Sequence, residues 1–286
     1  MAEAPRAQKW SPPLSTPVGV PWHASGWAFG GSGFVRKLRI LIFLVLVWEG
    51  LVRLFDVNPL LFPAASTVAL AWLRGLATGE LIGFAAQSLQ VLLTGMLIGV
   101  ALAILLVSLA TTTRFGRDLL ETVTSMFNPL PAIALMPLAL IWFGLGTSSL
   151  IFVIIHAVLW PMSLNAYTGF VTVPQTLVRV GQNFGLRNWA LVVGILLPAA
   201  FPYLLTGIKI GWAFAWRTII AAEMVFGVTG SRGGLGWYIY TKRYSLDTPD
   251  VFAGLITIIV IGLAVENLVF RFVERRTVVR WGMQTA

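Results

Sequence analysis

The ionisable residues able to do chemistry are few, and several stand where charge is costly. Lys209, Arg217 and Glu223 fall inside one long apolar run, 199–226. A charge at the centre of a bilayer costs about 2.5–3.5 kcal/mol on insertion scales, so such a group normally faces protein or water. Arg217 lies near the middle of the run, and its planar fork suits two oxygens of an anion. The alternative is a structural charge paired with Glu223 or with a neighbouring helix. Positions 217 and 223 are roughly 9 Å apart along a helix at about 1.5 Å per residue and lie on different faces, which disfavours a direct pair. Lys209, nearer one end, is expected to snorkel. Glu223, within Ala221-Ala222-Glu223-Met224, is expected to do structural or gating work more than to touch a solute. His156 is a lone histidine in an apolar run, where hydrogen bonding to a neighbour is the ordinary role and pore lining the other. Asn128, ahead of Pro129 and Pro131, marks a helix break, which a membrane tolerates only against protein or a water-filled cavity. Asn128, His156, Arg217 and Glu223 are therefore the candidate solute pathway.

None of these groups forms or breaks a bond. The chain has 0 Cys and 2 His, which removes thiolate nucleophiles, disulfides and a His-built zinc site. It has no G-x-x-x-x-G-K-[ST] phosphate loop, so no ATP hydrolysis is expected by that route. No catalytic residue, cofactor or metal is assigned to the chain.

The elements that must position these residues follow from composition. Hydrophobic residues make up 57% of the 286 and charged residues 11%, where an ordinary soluble domain carries roughly 25% charged. Mean hydropathy is +0.84. This excludes a soluble enzyme and a disordered chain. The net charge of +9 points to membrane lipids and not to nucleic acid. Six runs are long and apolar enough for helical spans: 38–55, 85–110, 119–142, 149–170, 199–226 and 251–272. The fold class is thus an all-α integral membrane protein of about six transmembrane helices.

Residues 1–35 are expected to be a flexible tail, rich in Pro, Ser and Gly. The first span and a short amphipathic outer helix fill 36–83, the core 84–272, and a basic tail 273–286. The amphipathic helix, 66–77, is expected to lie on the outer membrane surface with Ser66 as its N-cap. With both termini in the cytoplasm, most Lys and Arg fall inside, against Arg53, Arg74, Arg232, Lys242 and Arg243 outside. The outer basic loop 231–243 works against that bias. Gly95 and Gly99, with Ala103 a turn on, predict close helix packing within the chain or with a second copy.

The cytoplasmic loop reads RVGQNFGLRNWALVVGILLP over 179–198. Pro174 stops the preceding helix, 175–184 can form a short helix, and Gly185 ends it. A second helix then runs into the fifth span. Such a projecting helix either is an ordinary connection or docks in a partner's groove. Gly185, nine residues, then Ile195-Leu196-Leu197-Pro198 resembles the G-x9-I-x-L-P half of the EAA loop of ATP-binding-cassette (ABC) importer permeases. Its Glu-Ala-Ala would fall at Arg179, Val180 and Gly181, and none matches. Leu61-Phe62-Pro63, Pro129-Leu130-Pro131, IWFGLG at 141–146, the 198–227 stretch, Gly234-Leu235-Gly236 and Trp281 follow in order. From about Leu38 onward the chain resembles the subfamily for nitrate, taurine, aliphatic sulfonates and bicarbonate.

The resemblance implies a type I ABC importer permease fold, an inner-membrane location in a bacterium, and inward passage of a small anion by alternating access. It implies a second copy of the permease, a periplasmic or lipid-anchored binding protein, and separate ATPase subunits that bind ATP and Mg. Those subunits would dock at Arg179, Gly181, Gln182, Asn183, Phe184, Gly185, Leu186 and Arg187. The rivals are a secondary transporter driven by an ion gradient, which predicts an internal repeat not visible here, and an intramembrane enzyme, which lacks its catalytic groups.

Overall fold

The computed structural model describes residues 31–226 and 233–280. The tail before 31, part of the basic loop at 227–232 and the end after 280, with Trp281, lie outside the described residues.

The described chain is all helix. In order the helices are α1 (Gly31–Leu54), α2 (Ala65–Ala77), α3 (Glu80–Thr112), α4 (Arg114–Phe127), α5 (Met136–Phe143), α6 (Thr147–Val171), α7 (Gln175–Asn183), α8 (Asn188–Leu191), α9 (Leu197–Phe226), α10 (Leu235–Tyr244), α11 (Thr248–Ala264) and α12 (Arg271–Glu274). A π-helical stretch, Val192–Leu196, joins α8 to α9 without a break in helix, and two more extend α11 through α12 to Val279.

Four of the expected spans are single helices long and apolar enough to cross a membrane: Glu80–Thr112, Thr147–Val171, Val192–Val225 and Thr248–Val279. The first expected span falls on α1, which carries too many charges to count among them, although its Ile40–Leu46 side chains are exposed all round. The third is not continuous. It breaks between α4 and a short 3-10 helix leading into α5, with a 90° bend. Pro129 and Pro131 lack the N–H a continuing helix needs, and each restrains the residue before it.

The core is built on α6, flanked by α3 and α9. The buried face of α3 runs Leu81, Ala85, Ser88, Leu92, Gly95, Gly99, Ala103 and Val107, a three-to-four spacing. The small residues let the backbones approach. A Cβ on Gly95 would sit 2.7 Å from Cγ2 of Ile154, and one on Gly99 3.0 Å from Cβ of Val158. The Gly95–Gly99 pair therefore serves a contact within the chain, α3 on α6.

One expectation about the amphipathic helix 66–77 is corrected. The residue capping α2 is Ala64, with no side-chain cap bond, and Ser66 lies in the first turn. Its N–H and hydroxyl donate to the Glu49 carboxylate at 3.0 and 2.8 Å, tying α2 to α1, while Arg53 donates to Glu49 from the next turn. α2 also packs on the rest of the chain. It buries Val68 and Ala71, and Trp72 donates its indole N–H to Thr257 on α11 at 3.1 Å, while Leu70 and Leu73 stay exposed.

Candidate functional site

The first site is α7. Pro174 precedes it with extended backbone (ψ 130°), where its missing N–H costs nothing. At the other end Gly185 N–H donates to the Gln182 carbonyl at 2.9 Å and Leu186 N–H to that of Gly181 at 3.0 Å. This is a Schellman stop, and it needs the left-handed backbone that Gly185 supplies at φ +83°. Gly181 faces the following helix so closely that a Cβ there would lie 2.9 Å from both Ile195 and Leu191. The rest of α7 points away. Leu177, Val180 and Phe184, spaced three and four apart, form an exposed apolar stripe, and Phe184 is 82% exposed. Arg179, Gln182, Asn183, Gly185 and Arg187 are exposed around it, and Leu186 is half-buried. No carboxylate occurs from 175 to 208, so the knob is apolar and cationic.

The second site is a cavity of about 370 Å³ at the α4–α5 break. Asn128 through Ile133 form one wall, His156, Ala157, Trp160 and Pro161 of α6 another, and Phe214, Arg217, Thr218 and Ala221 of α9 the third. Three of the four expected pathway residues, Asn128, His156 and Arg217, thus share one cavity. Arg217 is exposed at it, and no ion pair of Arg217 occurs among the described residues. His156 is buried, yet neither ring nitrogen has a hydrogen-bond partner, and the same holds for the Trp160 indole N–H. His156 therefore lacks the neighbour bond expected of a lone histidine. Trp160 follows His156 by one helical turn, and the sequence alone gives it no role of its own. Its ring stacks on Phe127 at 5.4 Å and 12°.

Glu223 lies elsewhere. It is 2% exposed and accepts from Ser88 Oγ at 2.8 Å and from Gly236 N–H at 2.9 Å. Ser88 Oγ in turn accepts the N–H of Leu235 at 2.9 Å. The carboxylate thus closes the first turn of α10 onto α3 and α9, a structural role. Gly234 is glycine because a Cβ would collide with the Glu223 carboxyl and the Ser88 hydroxyl. Lys209 has a partner within the chain. Its ammonium pairs with Glu274 at 2.9 Å, joining α9 to α12.

In the basic segment 231–243, Lys242 is compensated. Lys242 contacts Asp250 at 2.7 Å, Glu80 at 3.7 Å and Asp247 at 3.8 Å. Partial burial works against its charge, but the hydrogen bond to Asp250 and the three carboxylate fields outweigh that and raise its pKa above the usual lysine range.

A family model described as binding-protein-dependent transport system inner membrane component matches residues 95–279. An ABC transporter permease of Methanocaldococcus jannaschii is 33% identical over 238 residues, 82% of this chain and 87% of its own. The taurine transport system permease protein of Escherichia coli is 29% identical over 280 residues, 95% of this chain and 93% of its own. The nitrate import permease protein of Synechocystis is 31% identical over 172 residues, 60% of each chain.

Proposed function

This chain belongs to the binding-protein-dependent transport system inner membrane component family, a multi-pass transport permease, and from that premise we propose that it is the membrane subunit of an ATP-driven importer of a small anion. The observation that carries the proposal is the α7 knob. An apolar stripe with a phenylalanine 82% exposed belongs in a partner's groove, not in water. The partner is an ABC ATPase subunit, which binds ATP and Mg. The chain itself takes no cofactor.

The linkage from that knob to the cavity is mechanical. Gly181 seats α7 directly on Leu191 and Ile195, so α7 cannot move without the helix behind it. That helix continues through the π-helical stretch into α9, and Arg217 lies roughly 30 Å beyond Leu197 at about 1.5 Å per residue. Displacement of α7 on ATP-driven ATPase closure therefore reaches Arg217, which gives alternating access a route through the chain. Arg217, with Asn128 and His156 in the same cavity, meets the anion. The names of the relatives point to taurine, sulfonate or nitrate as its class. Two copies of the chain enclose the pathway in the inner membrane, both termini lie in the cytoplasm, and a periplasmic or lipid-anchored binding protein delivers the solute. An ion-gradient mechanism would leave the α7 knob without a role.

The test is reconstitution of the chain in lipid discs with the ATPase and binding protein of its own operon. ATP hydrolysis stimulated by anion-loaded binding protein, and lost with Phe184→Ala, is the expected result. A chain that never retains an ATPase overturns the proposal.

A further inference from the structure

Every buried side-chain polar atom without a partner, among the described residues, falls in one region: Thr124 Oγ1, both His156 nitrogens, Trp160 Nε1 and Ser163 Oγ. Such groups are costly in a membrane interior, where no bulk water relieves them. Their clustering calls for a common cause. His156, Trp160, Ser163 and Tyr167 follow at spacings of four, three and four, so they form one stripe down α6. Thr124 faces that helix from α4. A second cavity, of about 300 Å³, is lined by Leu120, Glu121, Thr124, Ser125, Leu164 and Tyr167, and it shares Asn128 and Pro129 with the Arg217 cavity. The two cavities are therefore neighbours around the 90° break: His156 and Trp160 line the first, Thr124 lines the second, and Ser163 lies on α6 between Trp160 of the first and Tyr167 of the second.

We propose that this stripe is the inward half of the translocation route: an oxyanion-bearing solute leaves Arg217, passes His156, Trp160 and Ser163 around the Asn128–Pro131 corner, and exits by Thr124 and Tyr167. The proposal rests on the reading of Arg217 as the anion's contact. The chemistry of the stripe fits it. Imidazole, indole N–H and hydroxyl groups all donate to an oxyanion, and none carries a fixed charge. Conduction needs sites that bind well enough to admit a solute and weakly enough to release it. Successive neutral donors after a single arginine meet that requirement. Glu121, a carboxylate at the far cavity, repels the anion and favours its departure. Phe127 holds the Trp160 ring by stacking, so the indole N–H keeps a fixed position at the corner.

The experiment uses the natural absence of cysteine, 0 in the whole chain. Thr124→Cys, Arg217→Cys and, as a control on the buried α3–α6 contact, Ala103→Cys are each assembled with ATPase and binding protein. They are then exposed to an anionic methanethiosulfonate with and without ATP. In parallel, Trp160→Phe keeps the stacked ring and removes the N–H. The expected result is labelling of Thr124→Cys that rises during turnover, with Ala103→Cys silent. Trp160→Phe is expected to lower uptake at limiting solute by about threefold to tenfold, the loss of one neutral hydrogen bond, at unchanged assembly and melting temperature. Labelling at Arg217→Cys with Thr124→Cys silent and Trp160→Phe normal overturns the route and leaves the Arg217 contact standing. Silence at both positions overturns that contact and the route with it.

Discussion

Ser88→Ala is the smallest change that tests how α3, α9 and the start of α10 are held together. Ser88 is fully buried, and its hydroxyl works in both directions: it donates to Glu223 at 2.8 Å and accepts from Leu235 N–H at 2.9 Å. Alanine fills nearly the same space, so packing changes little. Two losses remain. The Leu235 N–H is left buried without a partner, at about 1–3 kcal/mol, and Glu223 loses one of its donors, worth about 0.5–1.5 kcal/mol. The two overlap, because both report the same displaced hydroxyl, so the net expectation is about 2 kcal/mol. For a chain of this size each kcal/mol shifts the melting temperature by roughly 2–4 °C, which places the drop at about 4–8 °C.

Thermal unfolding in lipid discs, followed by the fluorescence of the 12 tryptophans, measures it directly. Glu223→Gln and the double variant complete a cycle. Since Ser88 and Glu223 share one hydrogen bond, the two losses should fall short of additive by about 1 kcal/mol or more. ATPase retention should be unchanged, because α7 is untouched. A melting temperature within a degree or two of the parent, or strict additivity, would show that the carboxylate is held by something other than Ser88 and refute the three-helix closure.

Other outcomes follow from the same geometry. Gly185→Arg places a side chain at φ +83°, where an L-residue pays about 1–2 kcal/mol, and sets a bulky cation beside Phe184. ATPase retention should be lost while membrane insertion stays normal, and co-elution at parental stoichiometry would remove α7 from docking. Arg217→Ala should weaken uptake with assembly preserved, and Arg217→Lys should fall between, since an ammonium cannot present the planar fork. Unchanged uptake across a solute titration would take Arg217 out of the pathway. Gly95→Leu forces a side chain into a gap where even a Cβ comes 2.7 Å from Ile154, so it should destabilise by about 1–3 kcal/mol or more in the same melting assay. A neutral result would mean that α3 does not press on α6 there.

What was legible in the sequence was local. Pro174 and Gly185 bracket α7 because proline and glycine act on the backbone within a residue or two. The Asn128–Pro131 break was visible for the same reason, but its 90° angle was not, since the angle depends on how α4 and α5 pack on α6. Arg217, His156 and Asn128 could be marked as costly in an apolar run, and they do share a cavity. Partners far along the chain were invisible. Ser88 lies 135 residues from Glu223, and Glu274 lies 65 from Lys209, and no spacing rule links either pair. Ser66 misled because the residue type suits a cap, while a carboxylate from another helix claims its N–H and hydroxyl first.

The fates of the four charges and polar groups divide along one physical line. Lys209 and Glu223 reach partners within the chain, at 2.9 Å each to Glu274 and Gly236, and so contribute to holding helices together. Arg217 and His156 have no such partner among the described residues, although His156 is buried and Arg217 stands on the same helix as two groups that do. On the proposed reading, a fold that satisfies its other internal polar groups and leaves this set open keeps those hydrogen bonds for something that arrives and departs. That asymmetry, more than the presence of an arginine in a membrane helix, is the reason to place the solute at Arg217 and to look for its onward path along α6.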